Sequence, residues 1–197
     1  QLIRYLMAAN RSGIVNLCPQ STPECRAGCL GHTSGRLRYS AQQRAQYIRT
    51  LFLAKNPAFF HVVELMEIKR NARRINKKGK KAVARLNGTS DMPYETIGWY
   101  IACLKRMGLD LMFDYTANKG RTRGWVKNLP LPYHLTHSTK ETDHPNEVKP
   151  GSYTVVAVKP DHPLPTKYNG YPVFDGDTSD MRFLDPEGHV ALGRGKG

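Results

Sequence analysis

Apolar and polar positions along the chain predict three helices with one buried face each. The first begins at Ser40, which we expect as its N-cap, and stops at the Asn56-Pro57 break. A second amphipathic stretch covers Pro57–Lys78, and Gly79 ends it as a left-handed C-terminal residue. A third helix is predicted over Pro93–Met107, with proline in its first turn.

Short apolar runs between and after these helices predict strands. The runs are Leu2–Met7, Lys81–Leu86, Leu109–Tyr115, Tyr133–Ser138 and Tyr153–Val158, with shorter candidates at Val173–Phe174 and Val190–Leu192. Apolar strands that alternate with helices predict a parallel or mostly parallel sheet. A complete eight-unit barrel takes about 250 residues. The 197 residues therefore predict one α/β domain over 1–197, either a partial (β/α) barrel or an open mostly parallel sheet.

Polar clusters follow the predicted strands at their carboxyl ends. They are the loop 17–35, Asn87–Asp91, Asp114–Thr116, Thr136–Glu141 and Asp175–Asp177. The carboxyl ends of parallel strands share one edge of the sheet, where α/β proteins bind their ligands. We therefore expect these clusters to converge on one site.

Three of the four cysteines lie within twelve residues, at Cys18, Cys25 and Cys29, whereas Cys103 lies on an apolar helix and reads as a core thiol. Thiolates on one short loop are soft ligands for a metal ion or cluster. Zinc takes four ligands, and His32 is the candidate for the fourth. An iron–sulfur cluster held by three cysteines leaves one iron open. The residues alone favour zinc, with three metal-free loop cysteines as the remaining interpretation.

The segment Asn87-Gly88-Thr89-Ser90-Asp91 has two interpretations. Asn-Gly is typical of a tight turn, and Ser90 or Asp91 suits a cap for the following helix. The same side chains also suit hydrogen bonds to a small ligand. The predicted cofactor-binding residues are Asn87, Thr89, Ser90, Asp91, Tyr115 and Ser138.

The charge balance favours a polyanionic partner. Lys and Arg number 30 against 16 Asp and Glu, a net charge of +14, and no acidic residue lies within Lys69–Lys81. A solvated basic face is the alternative. Predicted nucleic-acid contacts are Lys77, Lys78, Lys80 and Lys81, and the loop residues Arg121, Arg123, Trp125 and Lys127.

Membrane and export signals are missing from the pattern. No apolar run approaches the roughly 20 residues of a membrane span, and no signal-peptide pattern is found. We expect no membrane partner and a cytoplasmic location.

Several motifs together carry a family resemblance. Cys18-Pro-Gln-Ser-Thr-Pro-Glu-Cys-Arg-Ala-Gly-Cys-Leu-Gly-His, Arg85-Leu-Asn-Gly-Thr-Ser-Asp, Asp114-Tyr-Thr, Asp175-Gly-Asp and Arg182-Phe-Leu-Asp resemble the phage "gene product 88" family over nearly the whole chain. The resemblance implies a location in the host cell of a phage.

A more distant resemblance is to radical-SAM-like phage proteins, from the order of the cysteine loop, Asn87–Asp91, Tyr115-Thr116 and Thr136–Glu141. It implies a partial TIM barrel with a [4Fe–4S] cluster and S-adenosylmethionine. The usual cysteine spacing of that group has gaps of three and two residues, whereas this chain has gaps of six and three. Gly28 replaces the usual aromatic residue before the last cysteine.

Three functional hypotheses follow. The preferred one is an iron–sulfur, radical-SAM-like enzyme that acts on a nucleotide or nucleic acid. The second is a non-catalytic nucleic-acid-binding protein with structural zinc in the cysteine loop. The third is a metal-dependent nuclease or replication factor with Asp91, Asp175 and Asp177 as ligands.

Overall fold

The computed structural model describes residues 16–27, 29, 31, 35–156 and 161–194. The helices are α1 (Pro23–Ala27), α2 (Ser40–Lys55), α3 (Pro57–Asn76) and α4 (Gly98–Arg106). The strands are β1 (Val83–Ala84), β2 (Leu111–Thr116), β3 (Gly124–Trp125), β4 (Tyr133–Ser138), β5 (Ser152–Val156), β6 (Lys167–Tyr168), β7 (Tyr171–Asp175) and β8 (Val190–Arg194). The predicted strand Leu2–Met7 lies outside the described residues.

The strands form a mostly parallel sheet in the order β1-β2-β4-β5-β8-β7-β6, with β3 added beside β4. Only the β3–β4 and β6–β7 pairs are antiparallel among the described strands. The order has two free ends, which confirms the open-sheet form of the prediction. The partial barrel is not supported. A barrel needs an outer layer of helices, and of the described connections between sheet strands only the one from β1 to β2 contains an α-helix.

Several predicted boundaries move for local reasons. Helix α2 begins at Ser40, but its N-cap is Tyr39 and no side chain makes the capping bond. The predicted third helix is shorter, because Tyr94–Thr96 forms a separate 3-10 turn before α4. The segment Asn118–Leu131, predicted as a basic loop, contains β3, which pairs with β4. Strand β4 has the predicted bounds.

The helices α2 and α3 form a hairpin around one residue. Asn56 is at once the C-cap of α2 and the N-cap of α3, and Pro57 follows at the first helical position. Proline suits this position because its missing N–H would be unpaired there anyway. The ring of Phe52 lies 5.7 Å from both Phe59 and Phe60, so aromatic contacts close the hairpin.

The main hydrophobic core lies between α3, α4 and one face of the sheet. Met112, Tyr133 and Leu135 from the sheet pack with Leu65 of α3 and Leu104 of α4. Burial of each such side chain contributes about 1.5–3 kcal/mol. Cys103 packs partly buried against this core, as expected from its apolar helix.

One carboxylate ties α3 to the segment around α4. Tyr100 donates to Glu64 Oε2 at 2.7 Å, and Tyr94 donates to Glu64 Oε1 at 3.2 Å. His61 Nδ1 lies 3.2 Å from the same carboxylate. Burial, followed by the charge of Glu64, raises the pKa of both tyrosines, so both hydroxyls stay protonated as donors.

The opposite face of the sheet is covered by the segment that follows β7. The ring of Phe183 lies 5.4 Å from Phe113 and 6.4 Å from Trp125. Adjacent residues in a strand point to opposite faces. The core face and this face of β2 are therefore distinct surroundings, which matters for the site residues on that strand.

Candidate functional site

The cysteine loop is attached to the segment that follows β1. Asp91 donates its backbone N–H to the carbonyl oxygen of Leu17 at 2.7 Å. The thiol of Cys18 donates to the carbonyl oxygen of Thr89 at 3.5 Å. These two contacts place the first cysteine beside the Asn87–Asp91 cluster, as the convergence of strand ends requires.

The second cysteine is attached to the segment that follows β4. Lys140 Nζ donates to Cys25 Sγ at 3.5 Å and to Ser138 Oγ at 3.1 Å. Thr22 Oγ1 donates to Glu141 Oε2 at 2.9 Å and accepts from the backbone N–H of Cys25 at 3.2 Å. Polar residues at the ends of β1 and β4 therefore hold the same cysteine loop from two sides.

Gly31 lies between Cys29 and Thr89, with little free space beside it. A Cβ at Gly31 would lie 3.1 Å from Thr89 Cγ2 and 3.4 Å from Cys29 Sγ. Gly31 is itself buried. The third thiol therefore lies near Thr89, whose carbonyl group accepts from the thiol of Cys18.

The pKa of Cys18 depends on its burial and on nearby charges, including those of the other two cysteines. Burial raises the pKa of Cys18 to about 11, and the charge of Asp91 and then those of Cys29 and Cys25 add to the shift. Lys140 lowers it. Without a cation, Cys18 therefore remains a neutral thiol at pH 7, and metal binding would have to displace its proton.

The donor set fits a soft metal or an iron–sulfur cluster in its chemistry. Three thiols stand on one short loop, and sulfur donors suit metals that prefer soft ligands. Within the parts of the chain that the structure describes, no three His, Cys, Asp or Glu side chains are arranged to hold a metal ion. The cysteine side chains would have to turn from Thr89 and Lys140 toward a common ligand. His32, the candidate fourth zinc ligand, lies outside the described residues.

Asn87 organises its own loop. The backbone N–H of Asn87 donates to Asp114 Oδ1, and its side-chain Nδ2 donates to the carbonyl of Met92. Its Oδ1 accepts from Ser90 Oγ at 2.8 Å and from the backbone N–H of Met92 at 2.9 Å. The polar atoms of Asn87 are thus engaged inside the protein, which is the turn interpretation of this motif.

Asp91 belongs to an internal ion-pair network. Its carboxylate accepts from Thr116 Oγ1, from the backbone N–H of Ala117 and from Arg121. Arg121 also donates to Glu95, and its side chain is only 6% exposed. The basic loop therefore turns Arg121 inward, where it joins the ends of β1 and β2, and this arginine is not available to a polyanion at the surface.

A second buried carboxylate lies next to this network. Asp114 Oδ2 accepts from the hydroxyl of Tyr133 at 2.8 Å, and Arg121 Nη2 lies 3.4 Å from that hydroxyl. Burial raises the pKa of Asp114 to about 6, although the bonds from Tyr133 and from the N–H of Asn87 lower it.

Tyr115 points to the face of β2 opposite to that of Asp114 and Thr116. Its neighbours Asp114 and Thr116 contact the core-side network, whereas Tyr115 donates its hydroxyl to the carbonyl of Asp180. Its ring lies 5.8 Å from Tyr153, and the guanidinium of Arg85 lies 4.7 Å from the ring centroid. Of the predicted cofactor residues, Thr89 and Asp91 contact the cysteine loop directly, and Ser138 is linked to Cys25 through Lys140. Tyr115 instead contacts Asp180, Arg85 and Tyr153.

A cavity of about 230 Å³, bordered mainly by polar and charged residues, opens at the carboxyl ends of β2 and β4. Its wall includes Thr116, Ser138 and Thr139, together with His137 and charged residues of the surrounding loops. Ser138 borders this cavity and also accepts from Lys140, which contacts Cys25. The cavity and the cysteine loop are therefore neighbours.

Two histidine side chains on β4 differ in their surroundings. Burial, followed by the charge of Arg123, lowers the pKa of His137, so its ring is neutral at pH 7. Its Nε2 lies 3.1 Å from the carbonyl of Arg121, and its Nδ1 lies 3.3 Å from Arg123 Nη2. Burial lowers the pKa of His134 to about 4, and the ring of Trp125 contacts it at 5.0 Å.

The predicted nucleic-acid residues separate into exposed and internal ones. The exposed residues are Lys77, Lys78, Lys80, Lys81, Trp125 and Lys127. Arg123 is half-buried, and its guanidinium donates to the carbonyl of Glu147. The lysine segment therefore forms an open basic surface, whereas both arginines of the loop make internal bonds.

The predicted nuclease carboxylates each contact an arginine. Asp175 Oδ2 lies 2.9 Å from Arg194 Nη1, and Asp177 Oδ2 lies 3.4 Å from the same atom. Asp91 pairs instead with Arg121. Asp175 also accepts from the backbone N–H of Asp177, as in the turn interpretation of Asp-Gly-Asp. This geometry gives the nuclease hypothesis no support.

Sequence reasoning did not single out Lys140, Glu95 or Glu147. Lys140 stood within the polar cluster after β4, so its position beside the site followed from the topology, but its contact with Cys25 depends on how the loop folds. Glu95 lay within the predicted helix Pro93–Met107, with no role predicted for it. The 3-10 turn places it against Arg121 instead.

Comparisons with known proteins identify the family of the chain. No curated protein and no solved structure matches the chain significantly, so the radical-SAM-like resemblance has no support from them. No helix in the described part of the chain is both long and apolar enough to cross a membrane. The family model described as Gene product 88 matches residues 2–197, nearly the full length. This match and the motifs of the cysteine loop and strand ends agree, and the chain belongs to the Gene product 88 family.

Proposed function

We propose that this protein is an iron–sulfur enzyme in which Cys18, Cys25 and Cys29 bind a [4Fe–4S] cluster beside a substrate pocket. The contact of Lys140 with both Cys25 and Ser138 carries the proposal. One ammonium group thereby links a cysteine thiol to the wall of the cavity at the carboxyl ends of β2 and β4. A nucleotide is the substrate class that the net charge of +14 favours.

The cluster would supply electron transfer and one open iron position for a small molecule, with S-adenosylmethionine as the co-substrate implied by the distant resemblance. The protein's own groups define the surroundings. Lys140 places a positive charge beside Cys25, and thiolate ligands are stabilised by such a neighbour. The Thr22–Glu141 and Leu17–Asp91 bonds hold the loop against the strand ends.

Metal analysis of protein purified without oxygen tests the proposal. The wild type should contain iron and sulfide, and its visible spectrum should show the charge-transfer bands of a cluster. Cys18→Ala, Cys25→Ala and Cys29→Ala should each lose the iron. Cys103→Ala is the matched control, because Cys103 packs against the core of the same chain and should leave iron content unchanged.

Two outcomes separate the alternatives. One zinc ion per chain without iron would replace the proposal by a structural zinc site. If iron is bound, reduced protein given S-adenosylmethionine should release deoxyadenosine and methionine, and Cys25→Ala should abolish the release. A bound cluster without this cleavage would rule out the radical-SAM-like chemistry and leave the iron–sulfur site.

A second candidate function, nucleic-acid binding, has its own observation. Four exposed lysines lie within the five residues that follow α3, and the segment Lys69–Lys81 contains no acid. Binding through phosphates should weaken steeply with salt. Replacement of Lys77, Lys78, Lys80 and Lys81 by alanine should reduce the slope of log K against log salt. Replacement of the exposed Lys55, Lys105, Arg106 and Lys167 removes the same charge and should preserve it. Equal slopes in both variants would contradict binding at this segment.

A further inference from the structure

The cavity beside the cysteine loop has a charge pattern of its own. Its floor is formed by the ends of β2 and β4, and its rim by the loops that follow these strands. Three cations, Lys119, Arg123 and Lys149, and two carboxylates, Asp143 and Glu147, border it.

Both carboxylates are already paired. Lys119 Nζ lies 2.9 Å from Asp143 Oδ1 and 2.5 Å from Glu147 Oε2. One exposed ammonium group thus bridges the two acids at the rim. The cavity has three cations and two acids, an excess of one positive charge. Arg123 and Lys149 are the two cations that remain once Lys119 is assigned to the acids.

Arg123 is held in place at the cavity wall. Its Nη1 and Nη2 donate to the carbonyl of Glu147 at 3.2 and 3.3 Å, and Nη2 lies 3.3 Å from Nδ1 of the neutral His137. The aliphatic part of the Arg123 side chain passes over Gly151, and a Cβ added at Gly151 would lie 2.9 Å from Arg123 Cγ. Within the described residues its Nε–H has no partner. A fixed, half-buried guanidinium with a spare donor suits an anionic ligand.

We propose that this cavity binds the phosphate group of a small phosphorylated substrate through Arg123, Lys149 and the hydroxyl of Ser138, which accepts from Lys140 and keeps its own O–H as a donor. The proposal rests on the proposed function, since it names the substrate class of the same site. Ligand pockets for whole drug-sized molecules are usually about 300–1,000 Å³. A cavity of about 230 Å³ therefore suits a phosphate with its adjoining sugar, and the rest of the substrate would lie outside it. Ser138 borders the cavity and accepts from Lys140, which contacts Cys25, so a substrate bound at Ser138 would lie near the cysteine loop.

Calorimetric titration of the metal-loaded protein with ribose 5-phosphate tests this proposal, and ribose is the uncharged comparison. Ribose 5-phosphate should bind and ribose should not. Arg123→Gln should weaken binding about tenfold or more, as expected for loss of a charge-assisted hydrogen bond. Lys149→Gln should weaken it about threefold through loss of charge at the rim. Lys105→Gln, at an exposed lysine that does not border the cavity, should leave the affinity unchanged.

The exposed position of Lys149 keeps the test sharp, because Lys149→Gln should fold normally even where Arg123→Gln does not. Equal affinity of the wild type and the folded Lys149→Gln protein, equal affinity for ribose and its phosphate, or absence of binding would each overturn the phosphate site. Iron analysis of the same samples separates this result from the proposed function. Iron without phosphate binding removes only the phosphate site, and phosphate binding without iron removes only the cluster.

Discussion

Arg121 and Glu95 form a bidentate ion pair, with 2.7 Å between Nε and Oε1 and 2.7 Å between Nη2 and Oε2. Both side chains are largely buried, at 6% and 16% exposure. Removal of one partner leaves the other charged and poorly solvated, which typically costs about 3–5 kcal/mol for buried pairs. We predict that Arg121→Met lowers the free energy of unfolding by about 3 kcal/mol, measured by urea denaturation.

Lys127→Met is the control for this variant, because it removes a charge from an exposed position of the same loop. Its effect should stay within about 0.5 kcal/mol. The double variant Arg121→Met with Glu95→Met should recover part of the loss, since no charge remains unpaired between these two positions. A loss no larger than that of Lys127→Met would show that the pair does not hold the strand ends together.

The Lys140–Cys25 contact predicts a change in redox behaviour, given a bound cluster. Reduction adds negative charge, and a nearby ammonium group stabilises it. Lys140→Met should therefore retain iron but lower the midpoint potential, measured by anaerobic redox titration. Lys127→Met should keep the wild-type potential. An unchanged potential in Lys140→Met, with full iron content, would place the lysine too far from the redox centre to act on it.

Asp114 predicts a titration well above the usual range of a carboxyl group. Its pKa of about 6 should be visible as a side-chain carbon shift in NMR spectra recorded between pH 4 and pH 8. Tyr133→Phe should raise this pKa further, because the variant removes a hydrogen bond to the ionised form. A titration near 4 in the wild type would contradict the dominance of burial.

The same shift links stability to pH. The folded state binds the Asp114 proton more tightly than the unfolded state does, so its contribution is full below about pH 4 and is lost as pH rises through 6. From the ordinary value of 3.8, the shift corresponds to about 3 kcal/mol. The unfolding free energy of the wild type relative to Asp114→Asn should fall by up to this amount from pH 4 to pH 7. Asp161→Asn, at an exposed carboxylate, controls for the lost charge.

We predict that the backbone conformation at Gly151 affects ligand binding through Arg123. Its φ is +83°, which favours glycine, and a Cβ would also press on Arg123 Cγ. Gly151→Ala should destabilise the protein and weaken ribose 5-phosphate binding in the folded variant. Gly170→Ala has the same kind of backbone, φ +81°, with no atom within 4 Å of the new Cβ. It should cost about 1 kcal/mol from strain alone and leave binding intact. Equal binding in both variants would show that Arg123 does not depend on this glycine.

The parts of the fold that depend on local patterns were predictable. The break at Asn56-Pro57 follows from proline chemistry, and the strand Tyr133–Ser138 follows from a segment that contains Tyr133, Leu135 and the β-branched Thr136. Strand order was not predictable in the same way. The position of β8 between β5 and β7 depends on long-range pairing that leaves no mark on either segment. The two-residue strand β3 owes its existence to its partner β4.

For the site, the sequence predicted which segments meet but not what each side chain does there. The convergence of the cysteine loop with Thr89, Asp91 and Ser138 follows from parallel topology. The direction of Tyr115 depends on strand register, since one residue either way moves a side chain to the other face. The burial of Arg121 was hidden because a basic run looks the same whether its charges face water or a buried carboxylate.

The place of β8 in the sheet also governs the order in which this chain can complete its fold. Val190–Arg194 forms hydrogen bonds with β5 on one side and β7 on the other, although both precede it in sequence. During synthesis from the N-terminus, the β6–β7 hairpin has no partner in the sheet until these five residues leave the ribosome. Until then the edge of β5 is unpaired and open to association with other chains. The partly formed sheet around β1, β2 and β4 is therefore exposed to aggregation until β8, the last described strand, has paired with β5.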